Sequence, residues 1–478
     1  MSDSSGPVAV GRAARGTVAR SAIRIVVVLL QGGLVAILAR ALAPDVFGAF
    51  VAAAALLGIV DIIGEFGTTA TAVVEMGKRP DDASAIARAC QRANLLMLVV
   101  GVAASMPILL LGYSSHSRLA YACLLPATVV NRFASSYVAL RQHRLDLGRL
   151  GVAELVGRAV TVVLAALLLL VSASPEGGLG IIGGAYFVGA LMSLAIERVR
   201  LGVGRSDGAV TGRTMLRAAA PLGLAGAVSF VHVRADQVLL EVLDRVQDLG
   251  AYAIAYRVLE GSVGILALAA GGMVALLSRT ASEDRWWLAS RSLAVIDVLG
   301  VLVSCAVLAT AGPIGHLLGG RDVPNTDVFI ALIAPLVWVS AVNTVFASLC
   351  IVSGRAGRLI RIAVVGTVAN IVGCLAIIPT WGARGAASVT IATEVFGLAM
   401  VAREASRSVE IQGYSRRLLT DLACLAIVGP LWYRVWDGTG DARLAVPALG
   451  VVAVTTIVRN RVELRAAARR VQHAAAST

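Results

Sequence analysis

The chain has 478 residues, 58% of them hydrophobic and only 15% charged, with a formal net charge of +13. That apolar content excludes an ordinary soluble globular protein. The excess positive charge is dispersed between apolar stretches, whereas nucleic-acid binding needs a contiguous basic face.

A membrane-spanning helix needs about 20 consecutive apolar residues. Such stretches run at 21–43, 48–74, 93–113, 119–140, 151–172, 180–198, 218–242, 250–277, 292–312, 327–353, 359–380, 384–402, 418–436 and 444–458, which predicts about fourteen transmembrane helices. The first follows a basic tail and ends in Ala41-Leu42-Ala43, which imitates a signal-peptide cleavage site. Pro44 directly after it makes a poor junction, so it reads as an uncleaved first helix. Of the 42 basic residues, thirty fall in alternate gaps: Arg12–Arg20, Lys78–Arg92, Arg141–Arg149, Arg198–Arg217, Arg279–Arg291, Arg355–Arg361, Arg403–Arg417 and Arg459–Arg470. The intervening gaps hold only Arg40, Arg118, Arg245, Arg321, Arg384 and Arg443. Positive charge collects on the cytoplasmic side, so the alternation predicts both ends in the cytoplasm of a bacterial inner membrane. The longest outer loop is expected at 313–326, too short for a soluble domain.

The halves repeat each other. Asp45–Phe50 matches Gln247–Tyr252 in place and pattern. Phe133-Ala-Ser135 and Gly148-Arg-Leu150 are echoed by Phe346-Ala-Ser348 and Gly357-Arg-Leu359. Repeats of this kind mark many secondary transporters. The expected organisation is a cytoplasmic tail (1–20), a six-helix lobe (21–200), a linker (201–217), a second six-helix lobe (218–403), two added spans (404–458) and a basic tail (459–478). The six cysteines form no CxxC pair, and most lie inside apolar stretches, so no metal site, disulfide or cofactor is expected.

Three blocks carry a family resemblance: Leu42–Phe50 followed by Glu65-Phe66-Gly67; Arg234–Leu240 followed by Gly250–Arg257; and Gly354–Arg358 with Asn370, Pro379, Gly382 and Gly385–Ala387. Together they resemble the polysaccharide (Wzx-type) flippases of the multidrug/oligosaccharidyl-lipid/polysaccharide exporter superfamily. The resemblance implies two pseudo-symmetric six-helix lobes around a cavity, with two added C-terminal helices. It implies transport of a polyprenyl-diphosphate-linked oligosaccharide from the inner to the outer leaflet for surface polysaccharide or glycolipid export. Membrane lipids, and a polysaccharide polymerase or export machinery, are the partners it implies.

Ionised side chains inside the membrane normally face a cavity or a partner. Arginine stays charged when desolvated and forms bidentate bonds with phosphate oxygens. Arg24, Arg132, Arg158, Arg234 and Arg257 are therefore the candidates for holding a diphosphate; Arg434 reads as interfacial. Arg24 also lies close enough to a helix end to snorkel. Candidates for ion coupling are Asp61, Glu65, His232, Asp236, Glu260 and Glu394. Asp61 and Glu65 share a helical face, as do His232 and Asp236. Glu154 and Arg158 are spaced to neutralise each other, and so are Arg257 and Glu260. Asp297 reads as interfacial and Trp338 as core.

Alternatives are a peptidoglycan-precursor flippase, close in chemistry, and an ion-coupled multidrug antiporter, which has little need of intramembrane arginine. A membrane glycan polymerase or glycosyltransferase needs an outer domain that the loops lack. No GxxxxGK[ST] motif is present for driving export with ATP. The chain reads as a transporter, not an enzyme.

Overall fold

The computed structural model describes residues 7–169, 175–199, 211–243, 245–279, 282–320 and 323–407, with 451–452, 454–458 and 460–461 near the C-terminus. All regular structure among the described residues is helical, as it must be where no water can satisfy the backbone. The helices are α1 (Pro7–Ala41), α2 (Pro44–Glu65), α3 (Thr68–Lys78), α4 (Ala83–Gly112), α5 (Ser115–His143), α6 (Leu147–Leu169), α7 (Pro175–Arg198), α8 (Gly212–Val242), α9 (Val246–Arg279), α10 (Ser282–Ala309), α11 (Ala311–Gly319), α12 (Thr326–Ile333), α13 (Pro335–Val352) and α14 (Ala356–Ser406). Ten helical segments among the described residues are long and apolar enough to cross a membrane. The expected span at 418–436, Arg434 with it, lies outside the described residues, and so does about half of the span at 444–458.

The chain divides into two compact units, Met1–Gly250 and Ala251–Thr478. In the first, α2 packs against α4, α5 and α8, while α6 lies against α1 and α7, and α7 also covers α5. The second expected span is not one continuous helix. It breaks after Glu65, where Phe66 (φ 44°) and Gly67 (φ 67°) both adopt the left-handed conformation. The Thr68 hydroxyl bonds the Glu65 carbonyl at 2.8 Å, and the Thr71 hydroxyl bonds that of Gly67 at 2.9 Å. The break presses on α8: a Cβ at Gly223 would lie 2.5 Å from the Phe66 carbonyl oxygen, and one at Gly67 would lie 2.9 Å from the Gly223 nitrogen.

In the second unit α13 packs against both α10 and α14. The segment expected as an outer loop at 313–326 is largely the short helix α11, docked on α12. Glycine permits that contact, because a Cβ at Gly315 would meet the Asp327 backbone at 2.8 Å. The expected span at 327–353 changes helix at Ala334-Pro335, and α14 runs through two expected spans with a bend at Gly382 (φ 57°). Trp338 is core, as its sequence position suggests, with no exposed surface. Asp297 is not exposed at an interface. It is buried in protein, accepting hydrogen bonds from Trp338 Nε1 at 2.8 Å and Asn460 Nδ2 at 2.9 Å.

Each unit closes one end with an arginine joint. Arg141, 2% exposed, donates to the carbonyls of Ile196, Glu197 and Val199 at 2.9–3.0 Å and pairs with Asp146 at 2.6 Å. It thereby satisfies the orphan carbonyls at the end of α7. In the second unit Glu404 gathers Arg355 at 2.6 Å, Arg358 at 2.9 Å and Arg407 at 3.0 Å. Removing one partner of a buried charge pair costs about 3–5 kcal/mol. Arg141→Met should therefore lower the thermal unfolding temperature of the purified protein clearly, while Arg149→Ala, whose side chain is 42% exposed, should leave it nearly unchanged.

Candidate functional site

Within the first unit, α2, α5, α6 and α7 enclose a cavity of about 300 Å³ with a strongly polar wall. Asp61 enters from α2 and Arg132 from α5; Glu154, Arg158 and Thr161 come from α6; Tyr186, Ser193 and Glu197 come from α7. Arg132 Nε lies 2.8 Å from Asp61 Oδ1, with the arginine side chain 14% exposed. Gly64 makes room for the arginine stem: a Cβ there would sit 3.3 Å from Arg132 Cδ. Arg132 Nη1 is buried without a hydrogen-bond partner among the described residues, so its charge is balanced while a donor remains available.

Glu154 does not neutralise Arg158. It pairs across the bundle with Arg24 of α1, whose side chain is 55% exposed. A local i,i+4 rule gave way to a partner 130 residues away. Arg158 lines the same cavity, and among the described residues it makes no ion pair.

The wall formed by α6 and α7 is built on glycine. A Cβ at Gly189 would lie 2.1 Å from Thr161 Oγ1 and 2.5 Å from the Gly157 carbonyl oxygen; one at Gly157 would lie 2.8 Å from the Gly189 carbonyl oxygen. Small residues let membrane helices approach this closely, which brings Arg158 and the polar face of α7 into one wall.

The other sequence candidates fall elsewhere. Glu65 ends α2 at the break. On α8, Asp236 is fully buried and accepts the Gln237 backbone N–H at 2.7 Å, while His232 and Arg234 are half-buried. Arg234 stacks 5.6 Å from the Phe230 ring centroid and donates to Gln237 Oε1 at 3.3 Å. Phe230 in turn occupies the space a side chain at Gly58 would need, one turn before Asp61. Arg257 and Glu260 pair at 2.8 Å on α9, as their spacing suggests. Glu394 is half-buried on α14. Arg257, Glu260 and Glu394 belong to the second unit.

Sequence reasoning missed Glu197, which stands at the end of a predicted span. It also missed Glu241, which is 3% exposed and caps α5 by accepting Ser117 Oγ at 2.5 Å and the Ser114 backbone N–H at 3.1 Å. The Ser193/Glu197 spacing of one turn was the available signal for the first.

Residues 13–281 match the family model described as polysaccharide biosynthesis protein. Among solved structures, the chain is similar to the lipid II flippase MurJ in an inward closed conformation (TM-score 0.69, 13% identity, covering 92% of this chain and 97% of that one). It is also similar to an inward-facing multidrug resistance MATE family transporter of the MOP superfamily (TM-score 0.63, 14% identity, 83% and 99% covered). A third is a MOP superfamily transporter from Pyrococcus furiosus, described as having a binding pocket of reverse polarity (TM-score 0.56, 14% identity, 84% and 96% covered). At these identities the likeness shows a shared fold. No curated protein sequence matches.

The α6–α7 contact is directly testable. Overpacking a tight contact costs about 1–3 kcal/mol, so Gly189→Ala should lower thermal stability in detergent. Gly180→Ala on the same helix, with nothing within 4 Å of the new Cβ, should be neutral or slightly stabilising.

Proposed function

We propose that this chain, which belongs to the polysaccharide biosynthesis protein family, flips a lipid-linked oligosaccharide from the inner to the outer leaflet of a bacterial cytoplasmic membrane by alternating access. The observation that carries this reading is the gathering of Arg132 and Arg158, with Arg24 held by a cavity carboxylate, around one polar chamber in an apolar helical bundle. A polyprenyl diphosphate presents the planar, multiply charged oxygens that guanidinium groups match. The fourteen-span topology with both ends in the cytoplasm, and the two six-helix lobes with two added helices, belong to the same proposal.

Asp61 and Glu154 stand where phosphate oxygens would, so a diphosphate entering exchanges one anion for another at Arg132 and Arg24 without leaving either of these two arginines bare. Arg158 supplies the additional cation. The volume, about 300 Å³, is at the low end of the roughly 300–1,000 Å³ of small-molecule pockets, so a long glycan requires the chamber to open. The polyprenyl tail stays in lipid.

A multidrug antiporter that meets a cation has little need of arginine, whereas this cavity gathers Arg132 and Arg158, with Arg24 paired to its Glu154. A peptidoglycan-precursor flippase shares the diphosphate chemistry, and substrate analysis separates it from the leading reading.

Depletion of the protein, followed by analysis of lipid-linked intermediates, should show one polyprenyl-diphosphate glycan accumulating on the cytoplasmic leaflet. If that glycan is the peptidoglycan precursor, the alternative holds; unchanged glycolipids with altered drug sensitivity would sink both. A charge-assisted hydrogen bond is worth about 1.5–3 kcal/mol, which is roughly ten- to a hundredfold in affinity. Arg158→Gln, at normal membrane abundance, should slow flipping by that order, while Arg149→Gln at the exposed end of α6 should not.

A further inference from the structure

The cavity holds three carboxylates, and only two have an arginine. Asp61 is paired with Arg132, and Glu154 with Arg24. Glu197 lines the same cavity and is 7% exposed. Its Oε2 is buried without a hydrogen-bond partner among the described residues, and Oε1 meets only Ser193 Oγ, at a long 3.4 Å.

The charges around it are already committed. From α5, Arg141 spends its Nε on the Glu197 backbone carbonyl and its charge on Asp146. Arg132, also on α5, is held by Asp61 of α2. From α6, the charge that faces Glu197 is a second acid, Glu154, which is held by Arg24 of α1. Arg158 lines the same cavity, next to Gly157, whose Cβ would meet Ser193 Cβ at 3.1 Å one turn before Glu197, yet among the described residues Arg158 makes no ion pair with Glu197. On α7 itself, Arg198 points the next way round the helix and Tyr186 lies three turns back. An ionised carboxylate in this setting has neither a cation nor a full set of donors, and such burial costs several kcal/mol.

We infer that Glu197 is a proton-binding site of the first unit: its carboxyl carries a proton at Oε2 while the chamber is closed, and exchanges it with water when the chamber opens. The proton comes from, and returns to, the water phase the cavity faces, so each cycle can move one proton with no other reactant. Arg141 has a positioning role, because it fixes the backbone of the α7 end and so keeps the Glu197 side chain turned inward. The inference deepens the proposed function by naming the ion and its carrier. The coupled ion is the only part that rests on that reading.

Infrared difference spectra of the full-length protein in lipid nanodiscs, recorded without substrate across a pH series, test it. The expected result is a protonated-carboxyl carbonyl band that shifts in deuterated water and disappears as pH rises. It should be absent from Glu197→Gln and retained in Asp61→Asn. A band unchanged in Glu197→Gln, or no protonated carboxyl in the wild-type protein at neutral pH, overturns the assignment. So does a band removed by sodium chloride at constant pH, which would make this a metal-cation site. If Glu197→Gln does not yield folded protein, Glu197→Asp serves instead. A shifted midpoint supports the assignment, and a midpoint identical to wild type overturns it. Because no substrate is present, a chain that titrates Glu197 yet flips no lipid-linked glycan would remove the proposed function and leave this site standing.

Discussion

Three arginines of the predicted spans are held where an acid reaches them, while Arg158 lines the cavity without an ion pair among the described residues. Desolvating a guanidinium with nothing opposite costs several kcal/mol, and a facing carboxylate with good geometry offsets most of that. Arg132 with Asp61, Arg24 with Glu154 and Arg257 with Glu260 follow this constraint. The first two also decide where the chamber lies, because charged pairs drag polar neighbours and space with them. Glycine at 64, 157 and 189 lets the helices come close enough to present those side chains to one another. The cavity is thus a by-product of how charge is kept inside a helical bundle.

Much of the architecture was legible because the membrane imposes a one-dimensional code. Apolar runs mark helices and arginines mark a side, so α1, α4–α10 and both halves of α14 fall close to the positions expected. Within-helix pairs were half legible. Arg257 and Glu260 meet as their spacing says, but Glu154 prefers Arg24 over its neighbour one turn away. No local rule can see a helix 130 residues distant. Asp297 was misread for the same reason, since the groups that bury it, Trp338 and Asn460, are 41 and 163 residues away. Glu197 was hidden by its position near a span end, where an acid is ordinarily wet.

The two units have comparable joints. Arg141 at the end of α5 ties down the end of α7 in one unit. In the other, Arg355 before α14 ties down Glu404 at the end of that helix. The chemistry is inverted: one unit buries an arginine among carbonyls and an acid, and the other surrounds an acid with arginines. Both spend the strongest available hydrogen bonds on the loop between the fourth and fifth expected spans and the end of the sixth. Each bundle therefore has one end tied by an arginine joint.

The break between α2 and α3 bears on how the protein is made. Pro44–Lys78 has a mean hydropathy of 2.4 over its most apolar window, so an insertion machinery reading hydrophobicity alone would accept it as one straight helix. Yet the surface that fits the broken form, Gly223 against the Phe66 carbonyl, belongs to a helix synthesised about 150 residues later. The break has local support from Thr68 and Thr71, whereas its tertiary seat on Gly223 can form only once α8 has been made.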